Sequence, residues 1–216
     1  MNKTVNLVNL WGEFEAKHPN AEIEDFCRYF LTASKEKENQ GKLFNGLMPP
    51  TDKIVLSKLI QRLATFQQAY ANSALNGIAI KQLEEFLILN TTAHLKEGKK
   101  TEIIHACLVE LSTGLNLLSN LLKQGFITEE EDKIDKRSKR VRITVKGEAA
   151  LQDCYREMRK ANAFMFQNMA EEDILLTIQL LKNVDIRHSA LWLQNKGKSF
   201  DEIIASMNTN VQPSNK

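Results

Sequence analysis

The chain has 216 residues, 43% of them apolar and 26% charged, with a formal net charge of +2 at pH 7. These values suit a globular protein and say nothing about partners unless the charge is clustered. Cys27, Cys107 and Cys154 are odd in number and far apart, which excludes a full disulfide framework within one chain, and no C-x-x-C spacing suggests zinc. No window reaches the roughly 20 apolar residues of a membrane span, and the first residues lack a signal-peptide core. No membrane association is therefore expected, and the cytoplasm is the expected compartment.

Residues 4–18 predict a helix, with Leu7, Trp11 and Phe14 on one face. Pro19 breaks it, and Asn20 is placed to cap a second helix striped by Ile23, Phe26, Cys27, Phe30 and Leu31. Residues 34–50 turn polar and rich in turn formers, so 1–50 reads as a helical extension with a linker. Thr51 then caps a helix running to about residue 74, with Leu59, Leu63, Phe66 and Tyr70 at helical spacing. A second helix over 81–93 carries Leu83, Phe86 and Leu87, and the LKEGKK segment after it reads as a turn.

Thr101 is the expected cap of a short helix bearing Ile103, Ile104 and Cys107. After a turn at 108–111, Ser112 is the expected cap of another helix, with Leu117, Leu118 and Leu121 facing the core and Gly125 ending it. Residues 126–131 and 140–145 predict two strands of a hairpin. A long helix follows Gly147 to about residue 168, and Glu171, Glu172 and Asp173 open the next, with Ile174, Ile178 and Leu181. That helix is expected to end near Asp185, before a short segment around Trp192. Ser199-x-x-Glu202 is a capping box for a last helix, and the tail from Asn208 reads as disordered.

Charge clusters at one place. Between 133 and 146 stand Lys133, Lys136, Arg137, Lys139, Arg140, Arg142 and Lys146 against the single acid Asp135. A basic β-ribbon directly after a helix-turn-helix is the electrostatic footprint of a module that grips a DNA backbone. The helix order from 51 to 182, together with Gln124-Gly125-Phe126-Ile127, Asp135-x-Arg137 and Val141-x-Ile143-Thr144-x-x-Gly147, resembles the MarR family of bacterial regulators. The resemblance covers about 130 residues, a usual size for such a domain. It implies a mainly α fold with a small β-hairpin wing: a winged helix-turn-helix over 51–183 with flanking dimerisation helices. The helix-turn-helix would occupy 101–125, the wing 126–146, and 184–216 would be a C-terminal helical extension with the tail. It also implies a homodimeric transcriptional regulator of double-stranded DNA, released by a small amphipathic ligand. In the wing it implies that Arg137 enters the minor groove and that Asp135 orients it.

Physical chemistry assigns the other contacts. A recognition helix reads base edges in the major groove from exposed side chains, here Ser112, Thr113, Asn116 and Asn120, and asparagine can pair bidentately with adenine. Lys123 suits phosphate, as do Lys136, Lys139 and Arg140 in the wing, and a narrow minor groove favours a guanidinium such as Arg137. Two half-sites about one helical turn apart would form a pseudo-palindrome. Two features point elsewhere: the recognition helix carries no arginine, and Glu129, Glu130, Glu131 and Asp132 lead into the wing. They favour an alternative, a winged helix turned protein-interaction module. No phosphate loop, nucleophile elbow or paired-carboxylate motif stands out, so no enzyme, cofactor or metal is expected.

Overall fold

The computed structural model describes residues 2–38, 42–132, 138–195 and 197–209. Two compact units divide the chain, Met1–Lys58 and Leu59–Lys216.

In the first unit, helix α1 (Lys3–Glu15) begins where the Asn2 carboxamide accepts the Thr4 N–H at 2.9 Å. Helix α2 (Ile23–Glu38) starts later than the expected cap at Asn20, which lies in a turn. Asp25 supplies the bond instead, accepting the Glu22 N–H at 3.1 Å. The two helices close on aromatic rings: Phe14 and Phe26 are buried, and Trp11 meets Phe26 edge-on with centroids 5.3 Å apart. A 3₁₀ turn at Leu43–Gly46 buries Phe44, and Lys58 Nζ lies 4.4 Å from that ring. Helix α3 (Asp52–Leu75) opens directly after Thr51, whose carbonyl accepts the N–H groups of Ile54 and Val55. The boundary between the units falls inside α3, not at residue 50.

The second unit continues with α4 (Leu83–Leu95), strand β1 (Gly98–Lys99), α5 (Lys100–Ala106), α6 (Leu111–Lys123), β2 (Ile127–Glu131), β3 (Lys139–Ile143), α7 (Val145–Phe166), α8 (Glu171–Asn195) and α9 (Phe200–Thr209). Gln82, the residue before α4, makes no side-chain cap, and the Asn72 carboxamide on α3 accepts the Leu83 N–H at 2.8 Å. The core forms where α4, α5, α6, α7 and the sheet converge, with Ile88, Leu89, Ile103, Ile104, Leu121 and Cys154 fully buried. Each large aliphatic side chain buried there is worth about 1.5–3 kcal/mol. Among the described residues the sheet is three-stranded and antiparallel, ordered β1-β3-β2. The strand Gly98–Lys99 replaces the turn expected from LKEGKK, with Gly98 opposite Val141 and Lys99 opposite Arg140.

Helix α8 runs unbroken through Asp185 to Asn195, contrary to the expected break, because no glycine or proline interrupts it. The proposed boundary at residue 183 therefore lies within one helix. Much of α8 is apolar and exposed, including Leu175, Ile178, Leu180, Val184 and Ile186. The capping box at Ser199 forms as expected, with Glu202 Oε2 accepting the Ser199 N–H at 2.6 Å. Residues 210–216 of the tail lie outside the described residues, and no described helix is long and apolar enough to cross a membrane.

Candidate nucleic-acid interface

Helix α5 starts two residues earlier than expected. Lys99 is its cap position, and the Glu102 carboxylate accepts the Lys99 N–H at 2.9 Å, which leaves Thr101 inside the first turn. The turn to α6 passes through Leu108, whose φ of 54° is the left-handed conformation glycine adopts more readily. Glu110, not Ser112, precedes α6, with no side-chain cap bond, and Ser112 is second in the helix. A Cβ added at Gly114 would stand 2.5 Å from Ile104 Cγ1. The bare glycine is what lets α5 and α6 approach. With Leu117, Leu118 and Leu121 buried, the opposite strip of α6 carries Ser112, Thr113, Asn116, Asn120 and Lys123, all exposed.

The end of α6 is tied to the root of the wing. Gly125, at φ 75°, donates to the Leu122 carbonyl at 3.0 Å and Phe126 donates to the Leu121 carbonyl at 3.0 Å. These are the two bonds of a Schellman cap. Thr144 caps α7 by accepting the Gly147 N–H at 3.0 Å, and its hydroxyl lies 2.8 Å from the Gly125 carbonyl oxygen. Lys146 Nζ donates to the Gln124 carbonyl at 2.7 Å. Gly147 has no room for a side chain, since a Cβ would fall 2.1 Å from the Phe126 carbonyl oxygen.

Acids hold the wing's described cations. Glu129 lies 2.7 Å from Lys100 Nζ and 2.6 Å from Lys139 Nζ, and the bonds from Lys100 and then Lys139 hold its carboxyl below the usual range. The same bond raises Lys139. Arg140 Nε lies 2.5 Å from the buried carboxylate of Asp132, the main cause of its raised value, and 3.4 Å from Glu97. Glu97 also pairs closely with Arg142. Among the described residues no cluster of His, Cys, Asp or Glu could hold a metal ion.

A family model described as a winged helix DNA-binding domain matches residues 83–147. The transcriptional regulator SlyA has the same fold, with TM-score 0.59 and 21% identity over 68% of this chain and 100% of its own. A mutant MarR from E. coli, solved in complex with operator DNA, gives 0.57 and 21% over 67% and 99%. BpsR of Bordetella bronchiseptica, whose DNA binding is regulated by 6-hydroxynicotinic acid, gives 0.56 and 14% over 60% and 98%. No curated protein matches the sequence significantly. The fold is the MarR winged helix.

Within this MarR fold the residues singled out from sequence separate into three groups. Ser112, Thr113, Asn116, Asn120 and Lys123 lie together on the free strip of α6. Lys139 and Arg140 lie at the wing's base, already paired with acids. Asp135, Lys136 and Arg137 lie outside the described residues. Lys100, Glu97 and Arg142, which complete the ion network, were not singled out as contributors to the site. Only the sheet register could have found them, because pairing Gly98 with Val141 and Lys99 with Arg140 brings Glu97 beside Arg142 and Lys100 beside Lys139.

Proposed function

We propose that the protein is a MarR-type transcriptional regulator that acts in the cytoplasm and binds a pseudo-palindromic duplex as a homodimer. The observation that carries this reading is the exposed strip of α6, polar along its length and backed by a fixed wing root. Asn116 and Asn120 would read base edges, Ser112, Thr113 and Lys123 would meet bases or phosphates, and Lys136, Arg137, Lys139 and Arg140 would serve the wing, with Asp135 orienting Arg137. The exposed apolar side chains of α8 support the dimer, because Leu175, Ile178, Leu180 and Val184 all stand in solvent along one helix. A small amphipathic ligand would act by shifting the population of binding-competent dimers. The acid partners of Lys139 and Arg140 favour the second reading, a winged helix that binds protein.

Fluorescence anisotropy on duplexes selected from random sequence, at two salt concentrations, separates the two. The regulator selects a palindromic site, loses affinity in Arg137→Ala and shows a steep salt slope. Selection of no such site, with Arg137→Ala unchanged, leaves the protein-interaction reading. For the dimer, sedimentation gives about twice the 24.6 kDa chain mass and returns to one chain in Ile178→Glu/Leu180→Glu. A single-chain mass for the unaltered protein at micromolar concentration contradicts the dimer.

A further inference from the structure

The N-terminal hairpin lies outside residues 83–147, which carry the match to the winged helix domain, and its helix α2 has two apolar faces. One carries Phe26, buried against the rings of Trp11 and Phe14 with centroids 5.3 and 5.6 Å away. The other, about a quarter turn around the helix, carries Ile23, Cys27, Phe30 and Leu31, the i, i+4, i+7, i+8 spacing of one stripe. Nothing in the chain covers it: Ile23 is 67% exposed, Leu31 45% and Phe30 43%. Among the described residues of this unit the buried apolar side chains are Phe14, Phe26 and Phe44. That core is too small to order helices of 13 and 16 residues by itself.

The charges beside the stripe indicate what covers it. Glu24 and Lys35, both exposed, stand eleven residues apart and therefore on the same side of α2. If two copies of α2 lie antiparallel along the stripe, Glu24 of each copy meets Lys35 of the other. A parallel pair would set them on opposite sides. The stripe offers only four side chains per copy, well short of the roughly 800 Å² per partner of a free-standing interface. It therefore suits chains already held together elsewhere. We propose that α2 pairs antiparallel with α2 of the second copy in the homodimer, as a clasp between the two chains. The proposal rests on the dimer proposed above, and its test reads the two separately.

A short bis-maleimide applied to the full chain reports the clasp through Cys27, which is exposed, whereas Cys107 is partly buried and Cys154 buried. Peptide mass spectrometry identifies a Cys27–Cys27 product, and sedimentation gives the mass. Phe30→Glu slows the joining roughly tenfold, since a charge is unfavourable in an apolar seam, and leaves a two-chain mass. It also speeds alkylation of Cys27, which a short seam shields only in part. Glu24→Lys slows the joining about threefold, the scale of exposed ion pairs, and Glu24→Lys/Lys35→Glu restores it. Circular dichroism checks the helices of each variant; if Phe30→Glu loses helix, the charge swap decides. Equal joining rates in the unaltered, charge-reversed and doubly reversed proteins overturn the antiparallel pairing. A two-chain mass without the Cys27 product overturns the clasp and leaves the dimer standing. A single-chain mass overturns both. A four-chain mass that falls to two in Phe30→Glu assigns the stripe to a contact between dimers and overturns the clasp.

Discussion

Arg140 places its Nε 2.5 Å from the carboxylate of Asp132, whose side chain keeps only 2% of its surface in contact with solvent. A carboxylate removed from water in this way depends on the guanidinium that meets it. Arg140→Ala is expected to be destabilising, by less than the loss of a fully buried pair because Arg140 remains partly exposed. Asp132→Ala/Arg140→Ala should lose less than the sum of the single changes. Urea unfolding of the four proteins measures the coupling, and strictly additive losses would contradict it.

Glu129 holds Lys100 and Lys139 together, so any phosphate at Lys139 must compete with it. Glu129→Gln should therefore bind duplex DNA roughly 3–10-fold more tightly and with a steeper salt slope. Its stability should also respond differently to acid. The native carboxyl lies below its ordinary value through its bonds to Lys100 and Lys139. The stability it adds is present above the unfolded pKa of about 4.3 and disappears as pH falls through the lowered native value. Urea midpoints at pH 7 and pH 3 should fall further in the unaltered protein than in Glu129→Gln.

Gly114 and Ile104 form the tightest helix contact beside the reading head. A methyl at Gly114 meets Ile104 Cγ1 at 2.5 Å and Cγ2 at 2.6 Å, so Gly114→Ala should destabilise by about 1–3 kcal/mol despite alanine's better helix propensity. In an Ile104→Ala background the same change should be nearly neutral or stabilising. Thermal unfolding of the cycle gives the answer, and an equal penalty in both backgrounds would exclude this clash as the cause.

The three thiols should react in order of exposure. Cys27 is exposed, Cys107 is partly buried with its thiol raised by burial, and Cys154 is buried with its thiol pushed up to about 11. At pH 8 only about one Cys154 in a thousand is thiolate, before access is considered. Iodoacetamide labelling read by peptide mass spectrometry should modify Cys27 first and Cys154 only on unfolding. Rapid native labelling at Cys154 would show that the core opens.

The legible parts of the fold were those whose chemistry is local. Gly125 announced a helix end, and it makes one of the two bonds of the cap while Phe126 makes the other; Leu117, Leu118 and Leu121 announced a buried stripe and are buried. The caps expected at Thr101 and Ser112 misled because both helices begin two residues earlier, after Lys99 and Glu110, whose side chains make no cap bond; at α5 the Glu102 carboxylate takes the Lys99 N–H instead. Strand β1 was illegible, since two residues carry no periodicity and Gly98 and Lys99 pair only across the sheet. In the site, the exposed strip of α6 was readable from its helical period. The wing's charges were not, because the partner of Arg140 lies eight residues away across a hairpin and Glu97 lies on the approach to a different strand.

Gly125, Thr144, Lys146 and Gly147 fasten the wing root to the end of α6, while Gly98 and Lys99 pair the wing's β3 with the strand that leads into α5. Helix and wing therefore have no hinge between them. On a duplex, the bases under α6 and the groove under the wing would be separated by a fixed phase. One inserted base pair shifts that phase by about 3.4 Å and a tenth of a turn. Such an insertion would cost both contacts together, so spacing within a half-site should be discriminated as sharply as the bases themselves.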